Sequence, residues 1–197
     1  MTAYAMICEM PDWAFDREIV GLKRKISLIR VQANPIARTK GRLQAGGVSF
    51  ACILGRSGIV TSKREGDGGT PRGRLALRGV LQRLDRSPRI PSALPFRAIR
   101  ATDAWCDDVC DRRYNTLIER PVDEPAEERL MRADRLYNVI VPLGWNDRPI
   151  VRGLGSAVFW HQSRENGAPT AGCVAVTPDV FRKLLPRLSR RAVMVIA

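Results

Sequence analysis

Residues 25–55, KISLIRVQANPIARTKGRLQAGGVSFACILG, decide the fold class. In KISLIRVQ (25–32) apolar and polar side chains alternate, which puts the apolar set on one face of an extended chain. The turn signal Ala45-Gly46-Gly47 follows, and GVSFACILG (47–55) takes up the alternation again. Downstream, YNVIVPLG (137–144) and SAVFWH (156–161) read as buried strands and AVMVIA (192–197) as a closing one. Between them SKREGDGGTPRGRLAL (62–77) is a glycine- and charge-rich loop that runs into further alternating residues. One helix is signposted: Thr177 as cap, Pro178 at the first helical position and Asp179 at the positive end of the dipole. Val180, Phe181, Leu184, Leu185 and Leu188 follow at helical spacing, and Pro186 predicts a kink or an early end. Residues 1–24 show neither period and read as an extension, so the expectation is one mainly β domain over 25–197 with one or two peripheral helices.

Composition agrees. The 197 residues suffice for one core, and 16 Gly with 13 Pro favour short strands and many turns. The formal net charge of +13 attracts polyanions: nucleic acid, anionic lipid or a carboxylate-rich cell wall. No zinc-finger spacing, helix-turn-helix or basic stripe interleaved with aromatics accompanies that charge, so no specific nucleic-acid partner is expected. No apolar run reaches the length of a membrane span, about 20 residues. The start, MTAYAMICEMPDWAFD, places acidic residues ahead of the basic run Lys23-Arg24-Lys25, so no secretory signal is recognisable.

Five cysteines imply at least one free thiol in a monomer, the expected state. Cys106 and Cys110 either close a small disulfide or stay reduced. With a single histidine in the chain, an all-protein zinc site would need an unusual ligand set, and no metal is expected.

A thiol becomes a nucleophile when a base or a positive group favours its thiolate. The stretch GSAVFWHQSRENGAPTAGCVAV (155–176) supplies the parts. His161 ends one apolar strand, a loop with Gly167 and Pro169 follows, and Ala171-Gly172-Cys173 opens a second apolar run. Adjacent strand ends put His161 within reach of the Cys173 sulfur in a cleft open to solvent. Gly172 permits a tight backbone, so the amides of Gly172 and Cys173 are the natural donors to an oxyanion. Being the chain's only imidazole, His161 must carry any imidazole base catalysis.

Four separated blocks then carry a resemblance: CILGRSGIVTSKREGDGGTPRGRLAL (52–77), AWCDDVCDRRYNTLI (104–118), YNVIVPLGWNDRP (137–149) and the 155–176 stretch. In this order the chain from Val48 onward resembles the L,D-transpeptidase (YkuD-type) catalytic domain, in a short single-domain branch. The resemblance implies a β-sandwich or barrel, no cofactor, a cell-envelope or periplasmic location, and peptidoglycan stem peptides as substrate. It implies Cys173 as nucleophile, His161 as general base and acid, Gly172 as oxyanion backbone, and Thr170, the Ser/Thr of the signature, as a substrate-binding candidate. Ala171 stands where the larger family usually has a histidine and Ala175 where an arginine often follows. Carboxylate recognition then falls to another arginine, with Arg152 and Arg164 as candidates.

Three further features each admit a structural and a functional reading. Glu65–Pro71 lacks the Gly-Lys-Ser/Thr ending of a phosphate loop and reads as a turn joining strands. Asp103, Asp107, Asp108 and Asp111 read either as salt-bridge partners in a basic protein or, through Asp107 and Asp108, as a site for a stem-peptide ammonium. Trp145-Asn146-Asp147 reads either as a turn or as a cleft wall contributed by Asn146. The reaction implied is cross-linking through a thioester; the alternatives are hydrolysis at the same site, as an L,D-carboxypeptidase or a cytoplasmic thiol hydrolase, and a non-catalytic basic cell-wall-binding module.

Overall fold

In the computed structural model, which describes residues 25–124 and 128–197, the opening alternation becomes strand β1 (Ile26–Ala33). Ile26, Ile29 and Val31 are buried and Arg30 faces solvent. The extension expected over 1–24 lies outside the described residues. Strands β2 (Lys40–Ala45) and β3 (Val48–Ile53) form an antiparallel hairpin turned by Gly46 and Gly47. Both glycines have positive φ, 57° and 81°, as a two-residue turn between twisted strands requires. Strands β4 (Ile59–Val60) and β5 (Thr70–Pro71) run parallel, and the glycine-rich loop 61–69 connects them, as its composition indicated.

The chain continues through β6 (Gly73–Ala76), β7 (Val80–Gln82) and β8 (Phe96–Ala98). Next come β9 (Asp103–Trp105), β10 (Leu117–Glu119) and β11 (Glu128–Arg129), a separate three-stranded sheet with β9 in the middle. Strands β12 (Val139–Pro142), β13 (Phe159–Gln162) and β14 (Val174–Val176) precede helix α1 (Pro178–Leu184), a 3-10 turn at Leu185–Arg187, and β15 (Leu188–Ile196). Thr177 has the extended backbone of a helix cap, but its side chain makes no capping bond; Pro178 opens the helix instead. Pro186 sits in the 3-10 turn that ends it, as expected.

Ten strands make one sheet, in the order β6-β15-β1-β2-β3-β14-β13-β12-β7-β8. It curls: Ile29 of β1 and Met194 of β15 share a core with Val141 of β12 and Trp160 of β13. Helix α1 plugs this core, with Phe181 stacked on Trp160 at 4.5 Å. The protein is therefore mainly β, with a curled sheet of sandwich or barrel type and one short helix. Strands β12, β13 and β14 are buried on both faces, because a second apolar cluster fills the side away from α1. Such strands read as continuous apolar runs rather than alternations.

Cys52, Cys106, Cys110 and Cys173 are free thiols, so Cys106 and Cys110 take the reduced alternative. Among the described residues no helix is long and apolar enough to cross a membrane.

Candidate active site

Strands β13 and β14 are parallel, with Trp160 opposite Val174, His161 opposite Ala175 and Gln162 opposite Val176. One step back along both strands sets Phe159 against Cys173. Side chains alternate between faces, so Phe159, His161, Cys173 and Ala175 share one face while Trp160 and Val174 enter the main core. His161 and Cys173 are thus diagonal neighbours. Tyr137 closes this face edge-on, with ring centroids 5.9 Å from Phe159 and 5.4 Å from His161.

The sulfur's own hydrogen bonds go to backbone. Phe159 N–H donates to it at 3.3 Å, and its S–H donates to Ala157 O at 3.2 Å. His161 Nδ1 lies 2.7 Å from Gln162 O. A carbonyl only accepts, so the hydrogen belongs on Nδ1 and the lone pair on Nε2. The strand pair therefore presents a thiol and a neutral imidazole of fixed tautomer on one surface.

Both groups are deeply placed. Cys173 is 8% exposed, in a cluster with Leu81, Leu130, Leu136, Tyr137 and Phe159, rather than in an open cleft. Burial pushes its thiol up to about 12, Phe159 N–H pulls against this, and the charges of Glu128 and Lys63 act in opposite directions. Burial likewise lowers His161 to about 4; the Gln162 carbonyl opposes that, and the cations Arg132 and Arg164 add to it. At neutral pH the resting pair is thiol and imidazole, not thiolate and imidazolium.

The turn before Cys173 is fastened by two threonines. Thr170 Oγ1 donates to Cys173 O at 2.7 Å and accepts the Gly172 N–H at 3.2 Å. Thr70 Oγ1 accepts Gly55 N–H at 2.8 Å and reaches Cys173 O at 3.4 Å. Gly172 has φ 144°, and a Cβ there would stand 2.9 Å from Gly69 O, so only glycine fits. Its amide, expected to face an oxyanion, is turned to the Thr170 hydroxyl. That hydroxyl, expected to face substrate, is engaged within the turn.

Behind this turn lies the loop 61–69. Lys63, 6% exposed, ion-pairs with Asp67 at 2.6 Å and donates to Arg64 O at 2.7 Å. Its stem lies against Gly155 and Gly172, where an added Cβ would come within 3.0 Å and 3.7 Å of it. Burial works against the Asp67 carboxylate, yet Lys63 and the Arg64 and Gly69 amides hold it below the usual range.

The other expected residues divide. Asn146 donates to Val151 O at 2.8 Å and Gly155 O at 3.0 Å and accepts Val151 N–H at 2.8 Å, so its amide ties the 146–155 loop together rather than lining a cleft. Asp147 is held by Arg78 through two bonds, at 2.6 and 3.1 Å. In the acidic cluster the salt-bridge reading describes Asp103, which is fully buried against Arg97 at 2.6 Å, and Asp111, which is paired with Arg113. Asp108 accepts Cys110 N–H at 2.8 Å, and both Asp107 and Asp108 lie between β9 and β10. Arg152 is exposed on the 146–155 loop; Arg164 is exposed beyond β13, where its charge is felt at His161.

Sequence reading passed over several residues of the site. Glu65 accepts the hydroxyls of Tyr114 and Ser156, the latter at 2.8 Å, and so ties loop 61–69 to the 155–157 segment. Asn115, 5% exposed, accepts Trp105 Nε1–H and Ala157 N–H and donates to Trp145 O and Asn146 O. For Glu65 the one signal was polar side chains, Lys63, Glu65 and Asp67, at tight spacing in a loop too glycine-rich to be a solvated helix face; Asn115 had none.

Against known proteins, a family model described as the L,D-transpeptidase catalytic domain (YkuD) matches residues 31–196. No curated protein and no solved structure gives a match.

Proposed function

Because this chain belongs to the L,D-transpeptidase catalytic-domain family, we propose that it is a peptidoglycan L,D-transpeptidase of the cell envelope, working by cysteine acyl transfer at Cys173. The observation that carries the reading is the parallel β13–β14 pair, which sets the only histidine and a free cysteine on one face. Cys173 Sγ attacks the carbonyl carbon joining an L-centre to the terminal D-residue of a stem peptide. His161 Nε2 takes the thiol proton and delivers it to the departing amine, and the D-residue leaves. An amine of a second stem then attacks the thioester, giving its proton through His161 to the sulfur, and the new amide is the cross-link. When water attacks instead, the same steps make an L,D-carboxypeptidase.

Cys173 N–H is the oxyanion donor, joined by Gly172 N–H once that amide leaves the Thr170 hydroxyl. Arg164, exposed and electrostatically close to His161, is the arginine for a stem carboxylate. Since burial keeps both reacting groups neutral, the proton moves as the sulfur attacks rather than beforehand. The test is acylation by a carbapenem read by intact-protein mass. The wild type is expected to gain one adduct and Cys173→Ala none; an adduct that persists in the alanine variant would refute the assignment. A wild type that never acylates would favour a binding module in which Cys173 is merely packed.

A further inference from the structure

Ala157 has φ 50°, a left-handed conformation in which the Cβ of an L-residue crowds the neighbouring carbonyl. Its two polar groups are both engaged. The N–H donates to Asn115 Oδ1 at 3.2 Å, and the carbonyl accepts the Cys173 S–H at 3.2 Å. Asn115, itself at φ 58°, is held from three sides: Trp105 Nε1–H at 3.0 Å, Trp145 O at 3.1 Å and Asn146 O at 2.8 Å. A side chain with four directed bonds is rigid, and this one grips the residue whose carbonyl meets the sulfur.

We propose that Asn115 is a positioning residue for the Cys173 thiol, holding Ala157 in its left-handed conformation so that the Ala157 carbonyl receives the S–H and fixes the sulfur. An acceptor on S–H favours the thiol, while the Phe159 N–H on the same sulfur favours the thiolate. The sulfur is thus bracketed by two opposed backbone groups, and Ala157 sets the balance. The charged and titratable groups facing it are Glu128 from β11 and Lys63 from loop 61–69, with Tyr137 and His161 on the same surface. None of these is bonded to Asn115.

The inference rests on Cys173 being the reacting thiol, but it is read without substrate. Iodoacetamide alkylation of Cys173 is followed from about pH 6 to pH 11 by mass spectrometry of the peptide that contains it, with exposed Cys110 as internal control. In Asn115→Ala the Ala157 carbonyl is expected to leave the sulfur. The Cys173 profile then moves to lower pH by about half a unit, a roughly threefold faster reaction at a fixed pH below the midpoint. Cys110 should not change. Adding Ala157→Gly to that variant removes the cost of the left-handed backbone and is expected to return the profile toward wild type, with the Trp105, Trp145 and Asn146 bonds still missing. An unmoved profile in Asn115→Ala, or a double variant no different from the single one, overturns the proposal. Should Asn115→Ala not fold, Ala157→Val in the wild type strains the same backbone and must shift the profile; an unmoved profile there overturns it equally. A wild type that forms no carbapenem adduct defeats the preceding reading and leaves the alkylation result standing.

Discussion

The single histidine combines an unusual position with a measurable consequence. Buried at the end of β13 with its Nδ1–H on Gln162 O, His161 resists protonation in the folded protein down to about pH 4. In the unfolded chain it takes up a proton near pH 6.5. Because its folded value is the lower one, its contribution to stability is present above pH 6.5 and drains away as pH falls toward 4, by about 3 kcal/mol in all. Carboxylates titrate over the same range, so the comparison is with His161→Gln. Urea unfolding at pH 7 and at about pH 4.5 should show the variant losing less stability than wild type. Equal losses would mean that the imidazole protonates in place, and the proposal of a neutral base would go with it. Cys173 and His161 were legible in the sequence because apolar strands flank both. Asn115 and Ala157 were not. Their roles depend on backbone conformations of positive φ, which a sequence announces only when glycine occupies them.

Among the elements, the strands that sequence reading found are those whose apolar residues alternate over several positions or run together. Strands β1, β3, β12, β13 and β15 all emerge close to where their patterns fall. Strand β2, KGRLQA, was missed because its only apolar side chains, Leu43 and Ala45, come at its end and a glycine sits at its second position. The β9–β10–β11 sheet was missed because its strands are two or three residues long and set among charges. At this scale Gly55, just past β3, is the junction that holds the site. A Cβ there would stand 2.2 Å from Gly68 O, 3.0 Å from Thr70 N and 3.1 Å from Gly172 Cα. All three are backbone atoms of segments that must cross here to seat the Cys173 turn. Gly55→Ala is expected to destabilise the fold by about 2–3 kcal/mol and to slow carbapenem acylation together with it. A urea midpoint and acylation rate matching wild type would show that the crossing has slack, and that the turn is held by the threonine bonds alone.

Over the whole molecule, the sulfur lies where two sheets meet. The curled sheet supplies Phe159 and carries Cys173 one residue before β14, and the three-stranded sheet covers them through Trp105, whose ring meets Phe159 edge-on at 5.0 Å. Leu130, just after β11, completes the cover: it is 1% exposed, belongs to the same apolar cluster as Cys173, and donates its N–H to Asp103 O at 3.1 Å. On the proposed function a stem peptide would displace part of that cover to reach the sulfur, which would tie site access to the packing of the small sheet on the large one. Truncating Leu130 to alanine removes apolar contact at this junction without touching a hydrogen bond of the sulfur. The cost to global stability is expected to be about 2–4 kcal/mol. Iodoacetamide should at the same time alkylate Cys173 severalfold faster, both because exposure rises and because burial, the main cause of the raised thiol value, is relieved, while Phe159 N–H and Ala157 O stay in place. The Ala157→Gly change separates cover from tuning: it is expected to return the Asn115→Ala profile toward wild type and to leave the Leu130→Ala profile where it is. A Leu130→Ala protein that loses stability but alkylates at the wild-type rate would mean that substrate reaches the sulfur by another side, and that the small sheet only stiffens the fold.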